Sequence, residues 1–241
     1  MNQTRLVLYN AVALPIMYSA TALYALVGGL STLISPSGRL YMKTARAWSR
    51  MLLRMSGTTI SSRGTDGVDW SRPFILMSNH QSHFDIPCLF ATVPVDLRFL
   101  SKHVLAWIPI FGWSMWAAGF IFINRSDQKK AFASIDKAIR TVREGRSIVV
   151  FPEGTRSKDG ALKDFKKGAF HMAAEAGVQI VPAWVEGSRH IMQKNSGLVR
   201  PGTHVDVRFG RPFLVDPREP DAKATIAARV RSELERLSTL G

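Results

Sequence analysis

The sequence predicts an α/β fold: a mixed, largely parallel sheet flanked by helices, with an N-terminal helical membrane-anchoring segment. Three observations predict it. Apolar runs of strand length alternate with helix-period segments from residue 57 onward. No charged residue or histidine lies between Arg5 and Arg39, a stretch longer than the roughly 20 apolar residues that a bilayer span needs. Two polar clusters, at Asn79 and at Glu153, each follow directly on an apolar strand. Open α/β sheets place their chemistry at such strand ends.

These features divide the 241 residues into a helical segment, 1–56, and an α/β domain, 57–241. The uncharged run is long enough to span a membrane once with excess. It also suits two shorter helices, a hairpin bent at Pro15 or at Gly28-Gly29. A cleaved signal peptide fits less well, because the apolar part is too long. A buried soluble helix is the other alternative. Next, Arg39, Lys43, Arg46, Arg50 and Arg54 recur every three or four residues, which is one helix face. Tyr41, Ala45, Trp48, Leu52 and Met55 form another. A basic amphipathic helix beside an apolar run suits an anionic bilayer surface, with the catalytic domain on the cytoplasmic side.

The remaining elements follow in order. Thr58–Ser62 reads as a strand, and Gly64-Thr65-Asp66-Gly67 as a turn. Phe74–Met77 is a buried strand. Ser82–Phe90 reads as a helix bent at Pro87. Leu97–Leu100 and Gly119–Ile123 are strands. Between them Trp107, Trp113 and Trp116 gather around Ile108-Pro109-Ile110-Phe111-Gly112. Such a cluster suits a membrane interface, an apolar ligand channel or a core. Phe132, Ile135, Ile139 and Val142 mark a helix over Gln128–Arg143. Ser147–Phe151 is a strand. Lys167–Ala176 is a helix stopped by Gly177. Val178–Val185 and His204–Phe209 are strands, and Ala222–Leu237 is a helix.

Composition narrows the function. Lys and Arg number 32 against 18 Asp and Glu, a net charge of +14. That balance points to an anionic partner: nucleic acid, a membrane surface or a phosphorylated substrate. No nucleic-acid motif is present. The single cysteine, Cys88, excludes an intrachain disulfide and gives no support to a cysteine-based zinc site. Its apolar setting suits a packed side chain rather than a nucleophile.

The first polar cluster is Asn79-His80-Gln81-Ser82-His83-Phe84-Asp85. In a helix starting near Asn79, His80 and Asp85 would lie about 140° apart, a gap that an irregular first turn closes. A carboxylate on one imidazole nitrogen fixes the tautomer and leaves the other nitrogen as a base. Asn79 also suits a simple helix N-cap. The second cluster is Phe151-Pro152-Glu153-Gly154-Thr155-Arg156-Ser157. Arg156 suits a bidentate grip on phosphate, and Gly154 lets the backbone approach it. Glu153 is expected to orient the arginine or to bind a substrate hydroxyl.

Together these clusters resemble the motifs of the glycerolipid acyltransferase family, and within it the 1-acylglycerol-3-phosphate acyltransferases. His80 and Asp85 match its His-x-x-x-x-Asp pair, and Glu153-Gly154-Thr155-Arg156 matches its Glu-Gly-Thr-Arg. Gly119–Arg125 is similar to its intermediate strand-and-arginine motif, with Asn124 where Asp is frequent. Lys102 and Ile108–Trp113 resemble the stretch before it, and Ile180-Val181-Pro182-Ala183 its last motif. The resemblance covers about residues 79–188.

It implies transfer of an acyl group from acyl-CoA or acyl-carrier protein to the hydroxyl of lysophosphatidic acid at a bilayer, giving phosphatidic acid. His80 would be the base and Asp85 its partner. Arg125 and Arg156 would hold the acceptor phosphate, with Glu153, Gly154 and Thr155 shaping the site and Lys102 a further candidate. Lys166 and Lys167 suit attraction of the anionic carrier or plain solvation. No bound cofactor or metal is implied. Glycerol 3-phosphate or another lysolipid as acceptor, and a thioesterase using water, are the alternatives.

Overall fold

The structure, a computed structural model, describes residues 2–240. The helices are α1 (Gln3–Ile34), α2 (Arg39–Met55), α3 (Asp85–Thr92), α4 (Phe111–Ala117), α5 (Gln128–Arg143), α6 (Lys167–Ala176), α7 (Ser188–Ile191) and α8 (Ala222–Thr239). The strands are β1 (Thr59–Arg63), β2 (Phe74–Ser78), β3 (Leu97–Lys102), β4 (Ile121–Ile123), β5 (Ser147–Val150), β6 (Gln179–Glu186) and β7 (His204–Phe209). They form one sheet in the order β1-β7-β6-β2-β5-β3-β4. Every pairing is parallel except β6 with β7. The mixed, mainly parallel sheet is the expected one.

Alternation along β2 sorts the core into two layers. Phe74 and Leu76 pack with buried side chains of α2, α3 and α4. Ile75 and Met77 face the other way, toward α5, α6 and α8. The parallel arrangement brings the carboxyl ends of β6, β2, β5, β3 and β4 to one edge of the sheet. The loops that leave this edge carry the polar clusters.

The amino terminus is one continuous helix that passes through Pro15 and both glycines. At about 48 Å it exceeds a bilayer core. The glycines mark close packing rather than a bend. A Cβ on Gly28 would lie 3.1 Å from the Tyr41 ring of α2, and one on Gly29 would lie 3.1 Å from Ser114 of α4. The hairpin is instead α1 with α2. Gly28 meets Tyr41, Trp48 Nε1 donates to Thr21 at 3.0 Å, and Tyr9 donates to the Met55 carbonyl at 2.6 Å. Contacts in that reversed order make the two helices antiparallel. Only about a fifth of the most apolar part of α1 is buried, so α1 is not a buried core helix.

The expectations at α3 are corrected, and the alternatives for the tryptophans narrow. The helix expected over Ser82–Phe90 starts at Asp85, so His80 lies in the loop before it. Pro87 falls in the first turn, where its missing N–H costs nothing, and the helix runs on through it to Thr92. The tryptophans are not core: Trp107, Trp113 and Trp116 are 78%, 61% and 69% exposed.

Candidate active site

The loop after β2 is held from below by Asn79. Its side chain is buried and exchanges two hydrogen bonds with the Val185 main chain in β6, at 2.7 and 3.0 Å. It is therefore a strand-to-strand clamp and not a helix cap. The clamp fixes where the next residue, His80, emerges. His80 Nδ1 lies 2.7 Å from Asp85 Oδ2. The same oxygen accepts the N–H groups of Gln81 and Ser82 at 2.8 and 3.0 Å. Asp85 Oδ1 accepts the hydroxyl of Ser188, from the start of α7. Asp85 is fully buried, and these donors satisfy the carboxylate.

With its Nδ1 engaged by Asp85, the imidazole keeps Nε2 as its other functional atom. The Phe151 ring stacks on the imidazole at 4.0 Å between centroids. His80 is thus fixed on one face by an aromatic ring and on one edge by a carboxylate.

The loop after β5 is tied to the first. Glu153 Oε1 accepts the His80 N–H at 2.8 Å and Oε2 accepts the Lys163 N–H at 3.2 Å. Ser157 N–H donates to the His80 carbonyl at 2.7 Å. Glu153 is buried, which raises its pKa, and the two main-chain donors oppose that rise. Its expected partner was Arg156 or a substrate hydroxyl. Its oxygens are instead taken by the main chain, an arrangement that locks the two loops together.

Gly154 has φ +71°. A Cβ there would sit 3.1 Å from the Lys166 side chain and 3.4 Å from Arg125 Nη1, so Arg125 closes on this turn from the end of β4. Desolvation lowers the pKa of Arg125 and of Arg156, and the Asp85 charge opposes the shift in Arg156. His83 lies within electrostatic reach of both Arg156 and His80. Desolvation, then the Arg156 and His80 charges, lower its pKa to about 4, with Asp85 opposing. His83 is therefore neutral at pH 7. Thr155 is exposed. Lys102 ends β3 at the same edge, paired with Ile123, and is exposed. Among the described residues no hydrogen bond or ion pair joins Lys102 to the rest of the site.

Beside the polar loops lies an apolar cleft of about 80 Å³, open at its mouth. Tyr24, Tyr41, Trp48, Phe90, Phe99 and Phe120 are among its walls. Phe99 contacts Phe151 at 6.1 Å, and Phe151 stacks on His80. Two rings thus connect the cavity wall to the imidazole. The arrangement sets an imidazole held by a carboxylate, a cationic rim and a greasy cleft side by side.

An acyltransferase family model matches residues 57–186. A 1-acyl-sn-glycerol-3-phosphate acyltransferase of Saccharomyces cerevisiae is 31% identical over 208 residues, covering 85% of this chain and 68% of that protein. The chain belongs to the acyltransferase family. The human 1-acyl-sn-glycerol-3-phosphate acyltransferase alpha is 30% identical, over 80% of this chain and 68% of its own length. The chain spans only about two fifths of a chloroplastic relative from Brassica napus, at 40% identity over that part. The crystal structure of PlsC from Thermotoga maritima, titled a 1-acyl-sn-glycerophosphate acyltransferase, shares this fold. Its TM-score is 0.79 at 25% identity, with 98% of this chain and 99% of that one covered. The family match begins at residue 57 and so leaves α1 and α2 outside it.

Two residues at this acyltransferase site escaped the sequence reading. Ser188 lies 103 residues from the carboxylate it bonds. Its only signal is its place just after β6, since no residue type singles out one serine there. Lys194 donates to the Arg156 carbonyl at 2.7 Å and to Thr155 Oγ1 at 3.3 Å. It lies in a loop with no strand or helix to flag it.

Proposed function

We propose that this protein is a membrane-bound 1-acylglycerol-3-phosphate O-acyltransferase that uses His80 as its base. The observation that carries the reading is His80 Nδ1 at 2.7 Å from a buried carboxylate that shares a loop-locked edge with Arg125 and Arg156. In this scheme Arg125 and Arg156 bind the phosphate of lysophosphatidic acid, and Lys102 adds positive charge at the rim. Gly154 and Thr155 shape the turn, and Glu153 positions His80 through its main chain. The acyl chain of the donor, acyl-CoA or acyl-carrier protein, occupies the apolar cavity.

His80 Nε2 takes the proton of the acceptor hydroxyl as its oxygen attacks the thioester carbonyl. Asp85 stabilises the imidazolium that forms. The C–O bond forms, the C–S bond breaks, and the proton passes from His80 to the departing thiolate. No covalent enzyme intermediate is required.

Several features support association with a bilayer, where a lipid acceptor would lie. Val12, Ile16, Leu23, Leu30 and Leu33 of α1 are exposed, as are the three tryptophans. Tryptophan is enriched at membrane interfaces. Arg39, Lys43, Arg50 and Arg54 of α2 are also exposed, which suits the anionic cytoplasmic leaflet.

The test is an assay of purified protein with a labelled acyl thioester and a panel of lysolipids and glycerol 3-phosphate. Acyl transfer that depends on lysophosphatidic acid is expected. Thiol release at the same rate without any acceptor would indicate a thioesterase and overturn the reading.

A further inference from the structure

The segment from Met192 to Arg200 follows α7, has no helix or strand, and touches three separate parts of the molecule. At one end the Met192 carbonyl accepts the hydroxyl of Ser82, in the loop that carries His80, at 2.8 Å. In the middle Lys194 Nζ bonds the Arg156 carbonyl and Thr155. At the far end the Val199 main chain is gripped by Asn10 of α1. Asn10 Nδ2 donates to the Val199 carbonyl at 2.8 Å, and Asn10 Oδ1 accepts the Val199 N–H at 2.8 Å. Asn10 is 3% exposed, a polar side chain buried in an otherwise apolar helix. A buried amide is costly unless paired; both ends of this one bond Val199, and Nδ2 also donates to the Leu6 carbonyl at 2.9 Å. The segment closes on itself where Arg200 N–H donates to the Ile191 carbonyl at 2.7 Å.

The charge around Lys194 is one-sided. Its pKa is lowered by desolvation and by Lys163, Arg156 and Lys158, with Glu153 opposing. Its hydrogen bonds go to neutral oxygens, which leave its charge uncompensated, and two bonds leave one of its three N–H donors over. Like charges gathered at a site rim, on side chains that are not ion-paired, favour an anion between them.

Building on the function proposed above, we propose that Lys194 is a further phosphate-binding cation of the acceptor site, held in place by Asn10 of α1 through the 192–200 strap. The ligand class is a phosphate monoester. Lys194 meets the same anion as Arg156. Asn10 is a positioning residue. It makes the membrane helix part of the machinery that sets the phosphate pocket.

The experiment compares Lys194→Met, Lys194→Arg, Asn10→Ala and the Asn10→Ala/Lys194→Met double variant with wild type. The readouts are acceptor KM, donor KM, kcat, and the affinity for inorganic phosphate by calorimetry. Lys194→Met is expected to raise acceptor KM and weaken phosphate binding by about tenfold, the worth of one charge-assisted hydrogen bond. Donor KM and kcat stay within about twofold, and Lys194→Arg restores most of the loss. Asn10→Ala raises acceptor KM by about threefold, and the double variant matches Lys194→Met instead of multiplying the two losses. A purely structural Asn10 would move thermal stability without that non-additivity.

Unchanged phosphate affinity in Lys194→Met overturns the proposal, as does a rise in donor KM alone. Multiplying losses overturn the strap. The calorimetry needs no turnover. A wild type that binds phosphate through Lys194 but transfers no acyl group would sink the proposed function and leave the cation site standing.

Discussion

The two halves of the sheet edge are built in opposite ways. Asp85 is fully buried, the His80 side chain is only 16% exposed, and each is held by several partners. Arg125 and Lys102 are exposed, Arg156 is half-buried, and none of the three forms an ion pair among the described residues. The contrast follows from the tasks proposed for them. A base must keep its tautomer and direction through each turnover, so its surroundings are fixed before substrate arrives. Cations that bind and release a phosphate are better left without a counter-charge, so that the ligand supplies it.

The sharpest way to break this comparison is His80→Ala. It removes the fixed half and should cost about 10²- to 10⁴-fold in kcat, with little change in acceptor binding. Steady-state kinetics at saturating donor would check it. Ser188→Ala tests whether the buried support matters as much as the base. It strips one donor from a buried carboxylate and should lower kcat by about tenfold, with acceptor KM unchanged. Equal effects on kcat and acceptor KM would show that the two halves are not separable.

Outside the edge, replacing Trp107 and Trp113 by alanine should weaken partitioning onto anionic vesicles by about tenfold. Turnover of a soluble short-chain acceptor should be unaffected. A sedimentation assay with phosphatidylglycerol vesicles would measure the partitioning.

The smallest effect on catalysis is expected at Asp206, in β7 beside the edge strand β1. Desolvation alone would raise its pKa. Hydrogen bonds from Arg63, Arg208 and Ser61 outweigh that and lower it to about 2. A carboxylate lowered on folding contributes stability above its unfolded pKa and loses it as pH falls from about 4 to about 2. Asp206→Asn should therefore cost about 2 kcal/mol at pH 7, show a flatter acid limb in thermal melts, and leave kcat unchanged.

How far the sequence reading reached follows the range of the interactions involved. β2, β5 and β6 were legible because their buried runs are continuous and end in polar residues. The His80–Asp85 pair was legible because its partners are only five residues apart. The start of α3 was not. Ser82–Phe90 looks helical, yet the Asp85 carboxylate takes the N–H groups of Gln81 and Ser82 and holds that stretch outside the helix. Glu153 was misread for a related reason. Sequence offers Arg156 as its obvious partner, while the fold presents main-chain donors from His80 and Lys163. Ser188, Lys194 and Asn10 act across 103, 38 and 189 residues respectively, so no local pattern could reveal them.

The division between a fixed base and an exchangeable cation rim is tested most directly by raising acceptor to saturation in Arg156→Ala and His80→Ala. Arg156→Ala should recover near wild-type turnover, because only ground-state phosphate binding is lost. His80→Ala should remain at least about a hundredfold down at any acceptor concentration. Recovery of His80→Ala by excess acceptor would contradict the division, as would an Arg156→Ala variant that stays slow at saturation.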